Sequence, residues 1–598
     1  MTDGLPVYPF EGERTIGTVI EVSPSTAKLN LPYAAASSGQ WLHGHKLGAG
    51  EVGEFVFLEC GEFALLSRLV SIKLPEKERL SVEPELGAQA ETHPVGLVQL
   101  LATIGLRSAE VRSGITNYPR LGTKAYSAHP KLIKWIAERS QMRPEQLAPV
   151  ILALGLLPTT TDTSVSFTPE TLFGRHCAVL GATGGGKSWT VARLVEQASR
   201  HAAKVILFDA TGEFYTLSGN GIRHLQIGAG THMPDDSTEV VIPYSSMKEG
   251  DLFALFKPSG QVQGPKMRLA MKSLKLARLD ATLATGGAVI KAEKSRAPFE
   301  SAYTKNAAAV ETANADFDIR LLARQISEEC IWPSGGNYNA PDHTKWGKYN
   351  DQEKSYCLSL ITRIEDMLGS KELACIFSVE NQRVFSTVLD EFLADGGSQV
   401  LRISLRYLAF EHNAREIVAN AIGRVLLERA RAGAFREQPL LLFLDEAHQF
   451  LNKQLGDENT RYSLDSFELI AKEGRKFSLN ICISTQRPRD IPEGVLSQMG
   501  TLIVHRLTND GDREVVERAS GDIDRSAAAF LPTLSPGEAV IIGVDFPMPL
   551  TIRVEPPAQR PDSRGPNFQK FWQPQQEPAR AASASETSGA ATVTAIKK

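Results

Sequence analysis

Over its first 75 residues the chain alternates apolar and polar positions, as in TIGTVIEVSPSTAKLNL (15–31) and VGEFVFLECGEFALLSRLVSI (52–72). Glycine and proline break these runs at short intervals, and the period of two predicts a small β-barrel over 1–75. Residues 76–170 mix charged and prolyl stretches with helical ones such as LIKWIAERS (132–140), and read as a connector. The pattern then changes. HCAVLG (176–181) is a fully apolar strand running into a glycine-rich turn, followed by the helix KSWTVARLVEQASR (187–200) and a second apolar strand, KVILFDATGEF (204–214). Strand, loop, helix and strand in that order begin an α/β sheet with helices on both faces.

That pattern pauses over 221–397, where segments such as KMRLAMKSLKLARLDATLAT have helical periodicity, so a mainly helical insertion is expected there. It resumes with QVLRISLRYL (399–408), a helix over 412–432, and the strands PLLLFLDEAHQF (439–450), FSLNICISTQRP (477–488), TLIVHRL (501–507) and EAVIIGV (538–544). The α/β core therefore comprises 171–220 and 398–556. Residues 557–598 are rich in Pro, Gln, Ala and Ser and are expected to be a disordered tail, with Phe568, Phe571 and Trp572 as a small docking element.

Composition narrows the class. The 598 residues are 42% hydrophobic and carry a formal net charge of −4, so a nucleic-acid partner would be met through a restricted patch or channel and not a basic surface. The six cysteines are scattered without a CxxC pair, which argues against a disulfide framework or zinc site and fits a reducing compartment. The opening MTDGLPVYPFEG lacks a secretory pattern, and the longest apolar run, LAPVILALGLLP (147–158), is too short to span a bilayer. A cytoplasmic protein without a membrane partner is expected.

The candidate chemistry begins at AVLGATGGGKSWT (178–190). Gly181 to Ser188 fit the phosphate-binding pattern GxxxxGK[ST], between the strand and helix that such a loop requires. Gly184, Gly185 and Gly186 let successive backbone N–H groups converge on phosphate oxygens, and the helix N-terminus adds partial positive charge. Lys187 is expected at the β- and γ-phosphates of ATP and Ser188 at Mg2+. Thr183 within the loop and Trp189 just after it complete the nucleotide-binding set. The second half of the site is LLLFLDE (440–446): an apolar strand delivers Asp445 to the metal, and Glu446 is placed to orient and deprotonate the attacking water. Gln486, ending the strand NICIST, is positioned to sense the γ-phosphate.

Residues 445–448 spell Asp-Glu-Ala-His, as in a large class of helicases, yet the second motor domain and glycine–arginine motif of that class are missing. Guanine recognition fails because Asn452-Lys453-Gln454-Leu455 lacks the aspartate that reads the base, and a transporter LSGGQ is absent. One motor domain per chain must borrow an arginine from a neighbour, which implies a ring; Arg475 and Arg175 are the candidates.

The order GATGGGKS, FDATGEF, LLFLDEAHQF, EGRKFSLNICISTQRP, HRLTND and LSPGEAVIIG resembles the HerA helicase/translocase family of the HerA–FtsK group, over nearly the whole chain before the tail. The resemblance implies an α/β fold with a RecA-like P-loop ATPase core, an N-terminal barrel that docks a partner, and a homohexamer with DNA in its central pore. It also implies a separately encoded companion, either a nuclease or, in bacterial antiviral systems, a sirtuin-like NAD-consuming effector. The insertion and tail depart from compact members of the family.

Two segments are candidates for gripping DNA. Between Lys257 and Arg296 lie nine basic and two acidic residues, with Arg268, Lys272 and Lys275 on one helical face. The other is the loop 452–461. A rival reading needs no DNA movement: an ATP-dependent ring scaffold that assembles and activates an effector. A conjugative coupling ATPase would be expected to carry membrane spans, which the pattern lacks.

Overall fold

The computed structural model describes residues 4–32, 34, 41–42, 45–46, 50–74, 93–141, 149–158, 163–228, 237–337, 339–378, 382–408, 410–451, 453–455, 462–520, 525–563 and 568–572. Residues 1–561 form one compact unit and 562–598 a second. Within the second, the described residues 562–563 and 568–572 include a short helix, Phe568–Phe571, whose Phe568 ring lies 4.8 Å from that of Trp572.

The N-terminal sheet closes on itself in the order Thr26–Asn30, Thr15–Val22, Lys124–Ser127, Phe55–Cys60, Phe63–Lys73, Val95–Gly105 and back to Thr26–Asn30. Its interior holds Val19, Leu29, Leu58, Leu65, Leu69 and Val98. The barrel thus needs two strands beyond residue 75, from the segment expected to be a connector. Val95–Gly105 is nearly continuously apolar because its second half leaves the barrel interior and packs Ala102 and Ile104 against the core of the main sheet. A strand apolar on both faces loses the alternation that marks a barrel strand. The rest of the connector also belongs elsewhere: Leu152–Leu156 and Ser164–Phe167 are edge strands of the main sheet.

That sheet has twelve strands. Eight run parallel, in the order Thr501–His505, Cys177–Leu180, Leu479–Thr485, Leu440–Leu444, Lys204–Asp209, Val400–Ser404, Ile222–Ile227 and Ser237–Val240. An antiparallel wing of Glu538–Gly543, Leu550–Val554, Leu152–Leu156 and Ser164–Phe167 extends the other edge. Helices cover both faces of the parallel part, which is why Leu440, Leu442, Leu444, Ile481 and Ile483 are all fully buried. Burying one such side chain contributes roughly 1.5–3 kcal/mol. Two strands of this sheet, Ile222–Ile227 and Ser237–Val240, come from the region expected to be insertion. The helical part proper runs from Glu249–Phe256 to Phe385–Ala394.

The tail expectation also needs correction at its start. Residues 555–560 form a strap across the helix Lys187–Ser199: Arg193 pairs with Glu555, and the Ala558 N–H donates to Glu196 at 2.9 Å. Residues 573–598 lie outside the described residues. Among the described residues, no helix is long and apolar enough to cross a membrane.

Candidate nucleotide site

Because the eight central strands are parallel, their C-terminal ends share one edge, and the chain leaves that edge at Gly181, Asp209, Ser404, Asp445, Gln486 and Arg506. Ligands of open α/β sheets bind at this edge. The phosphate loop follows Cys177–Leu180, and its helix starts at Lys187 with Gly186 as N-cap at φ 113°. A side chain at 186 would adopt a strained backbone and bring a Cβ within 3.1 Å of the Gly537 Cα.

The loop is held from behind by residues of the motifs HRLTND and LSPGEAVIIG, whose role the sequence alone does not reveal. The Gly537 N–H donates to the Gly185 carbonyl at 3.1 Å. His505 is fully buried, its Nδ1 2.8 Å from the Glu538 carbonyl and its Nε2 2.8 Å from the Thr190 hydroxyl. Nδ1 donates to that carbonyl, and burial pushes the pKa down to about 4, so the imidazole is neutral and Nε2 accepts from Thr190.

Lys187 is buried, and its Nζ lies 3.4 Å from Oε1 of Glu446. The same oxygen accepts a 2.7 Å hydrogen bond from Gln486 Nε2, while the Thr183 hydroxyl donates to Gln486 Oε1. The other carboxylate oxygen of Glu446 lies 3.3 Å from His448 Nδ1. Glu446 has φ 49°, a left-handed conformation uncommon for a side-chain-bearing residue, at the point where the chain turns off its strand.

Asp445 is buried at 2% exposure, and its Oδ1 has no hydrogen-bond partner among the described residues. Burial pushes its carboxyl up to about 7, with Lys187 opposing and Glu446 and Asp209 reinforcing the rise. Ser188 donates to Glu213 Oε2 at 3.1 Å, and desolvation raises the Glu213 pKa. Glu213 is placed by Asp209, which accepts from the N–H groups of Gly212, Glu213 and Phe214 at 2.7, 3.1 and 3.0 Å and is neutralised by the buried Arg402 at 2.7 Å. Asp209 is thus the anchor of the turn and Glu213 its presented carboxylate.

These groups fit a magnesium nucleotide. A glycine loop in which Gly184 and Gly186 take left-handed backbone and Gly181 and Gly186 pack closely on His505 and Gly537, a buried lysine, an orphaned buried carboxylate oxygen and a serine hydroxyl meet at one helix N-terminus. Trp189, the third residue of that helix, is half-buried, and the Arg560 guanidinium covers its ring.

The remaining candidates lie elsewhere. Arg475 is exposed in the turn Gly474–Phe477, near the buried His176, and Arg175 pairs with Asp545 at 3.4 Å. Both precede strands whose far ends carry the site. The basic helical face is already occupied: Arg268 bonds Glu249 at 2.6 Å, Lys272 bonds Glu311 at 2.6 Å, and Lys275 is buried against the Thr312 carbonyl at 2.6 Å. This corrects the expectation of a free cationic stripe. Of the loop 452–461, Lys453–Leu455 pairs with Tyr462–Leu464 as a hairpin, and the rest lies outside the described residues.

Comparison with known proteins bears on both halves of the core. A model of the helicase HerA central domain matches residues 152–328, and one of the helicase HerA-like C-terminal domain matches 429–541. A probable helicase of Methanocaldococcus jannaschii is 23% identical over 462 residues, covering 76% of this chain and 75% of that protein. The DNA double-strand break repair helicase HerA of Saccharolobus solfataricus is 24% identical over 393 residues, 64% of each chain. Among solved structures, the plasmid coupling protein TrwB in complex with ADP and Mg2+ covers 72% of this chain and 94% of its own at 14% identity, with a TM-score of 0.42. That likeness is too loose to bear on the site.

Proposed function

From the premise that this chain belongs to the HerA helicase family, we propose that it is an ATP-hydrolysing DNA motor that works as a homohexameric ring. ATP and Mg2+ would be held by Gly181, Thr183, Gly184, Gly185, Gly186, Lys187, Ser188 and Trp189, with Ser188 and Asp445 serving the metal. The metal would supply charge to the γ-phosphate oxygens. Glu446 orients the attacking water and accepts its proton, a contribution of roughly 10²–10⁴ in rate. Gln486 connects that carboxylate to Thr183 in the loop, so a change at the phosphates is passed to the end of a neighbouring strand.

The observation that carries the ring is the position of the arginines. The strand Leu479–Thr485 has seven residues. Arg475 before it is therefore about 20 Å from Gln486 beyond it. Arg175 stands before the four-residue strand Cys177–Leu180, about 13 Å of strand from the loop beyond it. That separation supports the reading in which neither serves its own subunit's phosphates and one of them serves a neighbour's, where such an arginine is worth on the order of 10³–10⁵ in turnover. DNA in a central pore accommodates the acidic overall balance, because six copies focus a restricted charge on one axis. The closed barrel, with a core of its own, is the docking site for a separately encoded nuclease or NAD-consuming, sirtuin-like effector, in DNA processing or antiphage defence.

The test is displacement of a tightly bound protein roadblock from duplex DNA. Processive, ATP-dependent displacement supports the motor. Intact ATP hydrolysis with ATP-dependent effector assembly and no displacement would replace it with the scaffold.

A further inference from the structure

The glycine loop, Lys187, Ser188 and Asp445 all concern phosphate and metal, and none of them addresses a base. Beside them is a group suited to a flat ring. Trp189 follows Ser188 directly, and the Arg560 guanidinium sits over its indole, 5.0 Å from the ring centroid. The backbone that carries Arg560 is tied down on several sides. The Thr216 hydroxyl donates to the Arg560 carbonyl at 2.8 Å, and the Ser218 N–H donates to Gln559 Oε1 at 2.6 Å. Gln559 Nε2 returns a bond to the Ser218 carbonyl at 2.6 Å. The strap is thereby fixed to the chain directly after the turn that presents Glu213.

Phosphates at this helix N-terminus place the ribose and base of a nucleotide beside the side chains of the first turn. A half-buried indole offers a base a broad apolar π-face, and a guanidinium plane offers a second, cationic one. At 5.0 Å the two are in direct contact with no gap for a ring between them, so a base must take the guanidinium's place on the indole.

We propose that Trp189 and Arg560 form the nucleobase subsite, taking the base of the nucleotide by stacking. The guanidinium covers the indole until a nucleotide arrives, and then closes over the outer face of the base. The strap, which follows the last strand of the core, is on this account part of the nucleotide site and not the start of a tail. The inference rests on the phosphate loop binding a nucleoside triphosphate.

Calorimetric titration of the full chain with Mg2+ and either β,γ-imido-ATP or inorganic tripolyphosphate tests it. Trp189→Ala and Arg560→Ala should each weaken the imido-nucleotide about tenfold, the loss of one stacked base, and leave tripolyphosphate unchanged. Trp189→Phe should retain most of the affinity. Equal weakening of both ligands, or unchanged binding of both, in the two alanine variants would overturn the subsite. Failure of the unaltered chain to bind either ligand would instead overturn the nucleotide reading on which the subsite rests.

Discussion

Gln486 donates a 2.7 Å hydrogen bond to Glu446, joining the residue just beyond one strand to the carboxylate just beyond the adjacent parallel strand. Since Thr183 donates to the same Gln486 side chain, the phosphate loop and the carboxylate share one amide. Removing the carboxylate's basicity should therefore separate binding from turnover. Glu446→Gln is expected to bind ATP as tightly as the unaltered chain and to release phosphate about 10²–10⁴ times more slowly. Parallel binding and phosphate-release measurements check this.

The cradle depends on a glycine that nothing else can replace. Gly186→Ala places a Cβ 3.1 Å from the Gly537 Cα at φ 113°. The strain is of order 1–3 kcal/mol, and its relief must displace the loop. The variant should remain folded by circular dichroism and lose nucleotide binding.

Buried histidines make stability depend on pH. His505 and His176 both have pKa values pushed down to about 4 from an ordinary 6.5, mainly by burial. The unfolded chain takes up these protons between pH 6.5 and 4 while the fold does not. The contribution is therefore complete above about 6.5 and is lost as pH falls, by about 1.4 kcal/mol per pH unit for each histidine. Denaturant midpoints measured from pH 7.5 to 5 should fall, and His505→Asn should flatten the slope.

Arg402 and Asp209 form a pair at 2.7 Å with side chains 3% and 0% exposed. Arg402→Ala leaves a buried carboxylate without its cation and should cost about 3–5 kcal/mol. Urea unfolding of the two proteins measures this directly.

The site was legible where its chemistry is local. Gly181 to Ser188 and Asp445-Glu446 each sit at the end of an apolar run short enough to be read as one buried strand, and the structure brings them together. Contacts between distant positions were not legible. His505 and Thr190 are 315 positions apart, and nothing in HRLTND announces that its histidine braces the phosphate loop. Lys272 and Lys275 look like a free cationic stripe until Glu311 and the Thr312 carbonyl are folded onto them. The extent of the barrel is hidden for a related reason: Val95–Gly105 serves two cores, so its apolar positions do not alternate.

The central claim is that each reaction centre is completed by the adjacent subunit, and co-assembly of two inactive variants tests it most directly. Glu446→Gln and Arg475→Ala are each expected to be inactive alone. In a mixed ring, a site between an Arg475→Ala subunit and a Glu446→Gln neighbour that supplies Arg475 is intact, so up to about a quarter of sites recover at equal ratio. ATP turnover that rises on co-assembly is the predicted result. Turnover that stays at the level of the separate variants, or full turnover by an isolated monomer, would contradict the account.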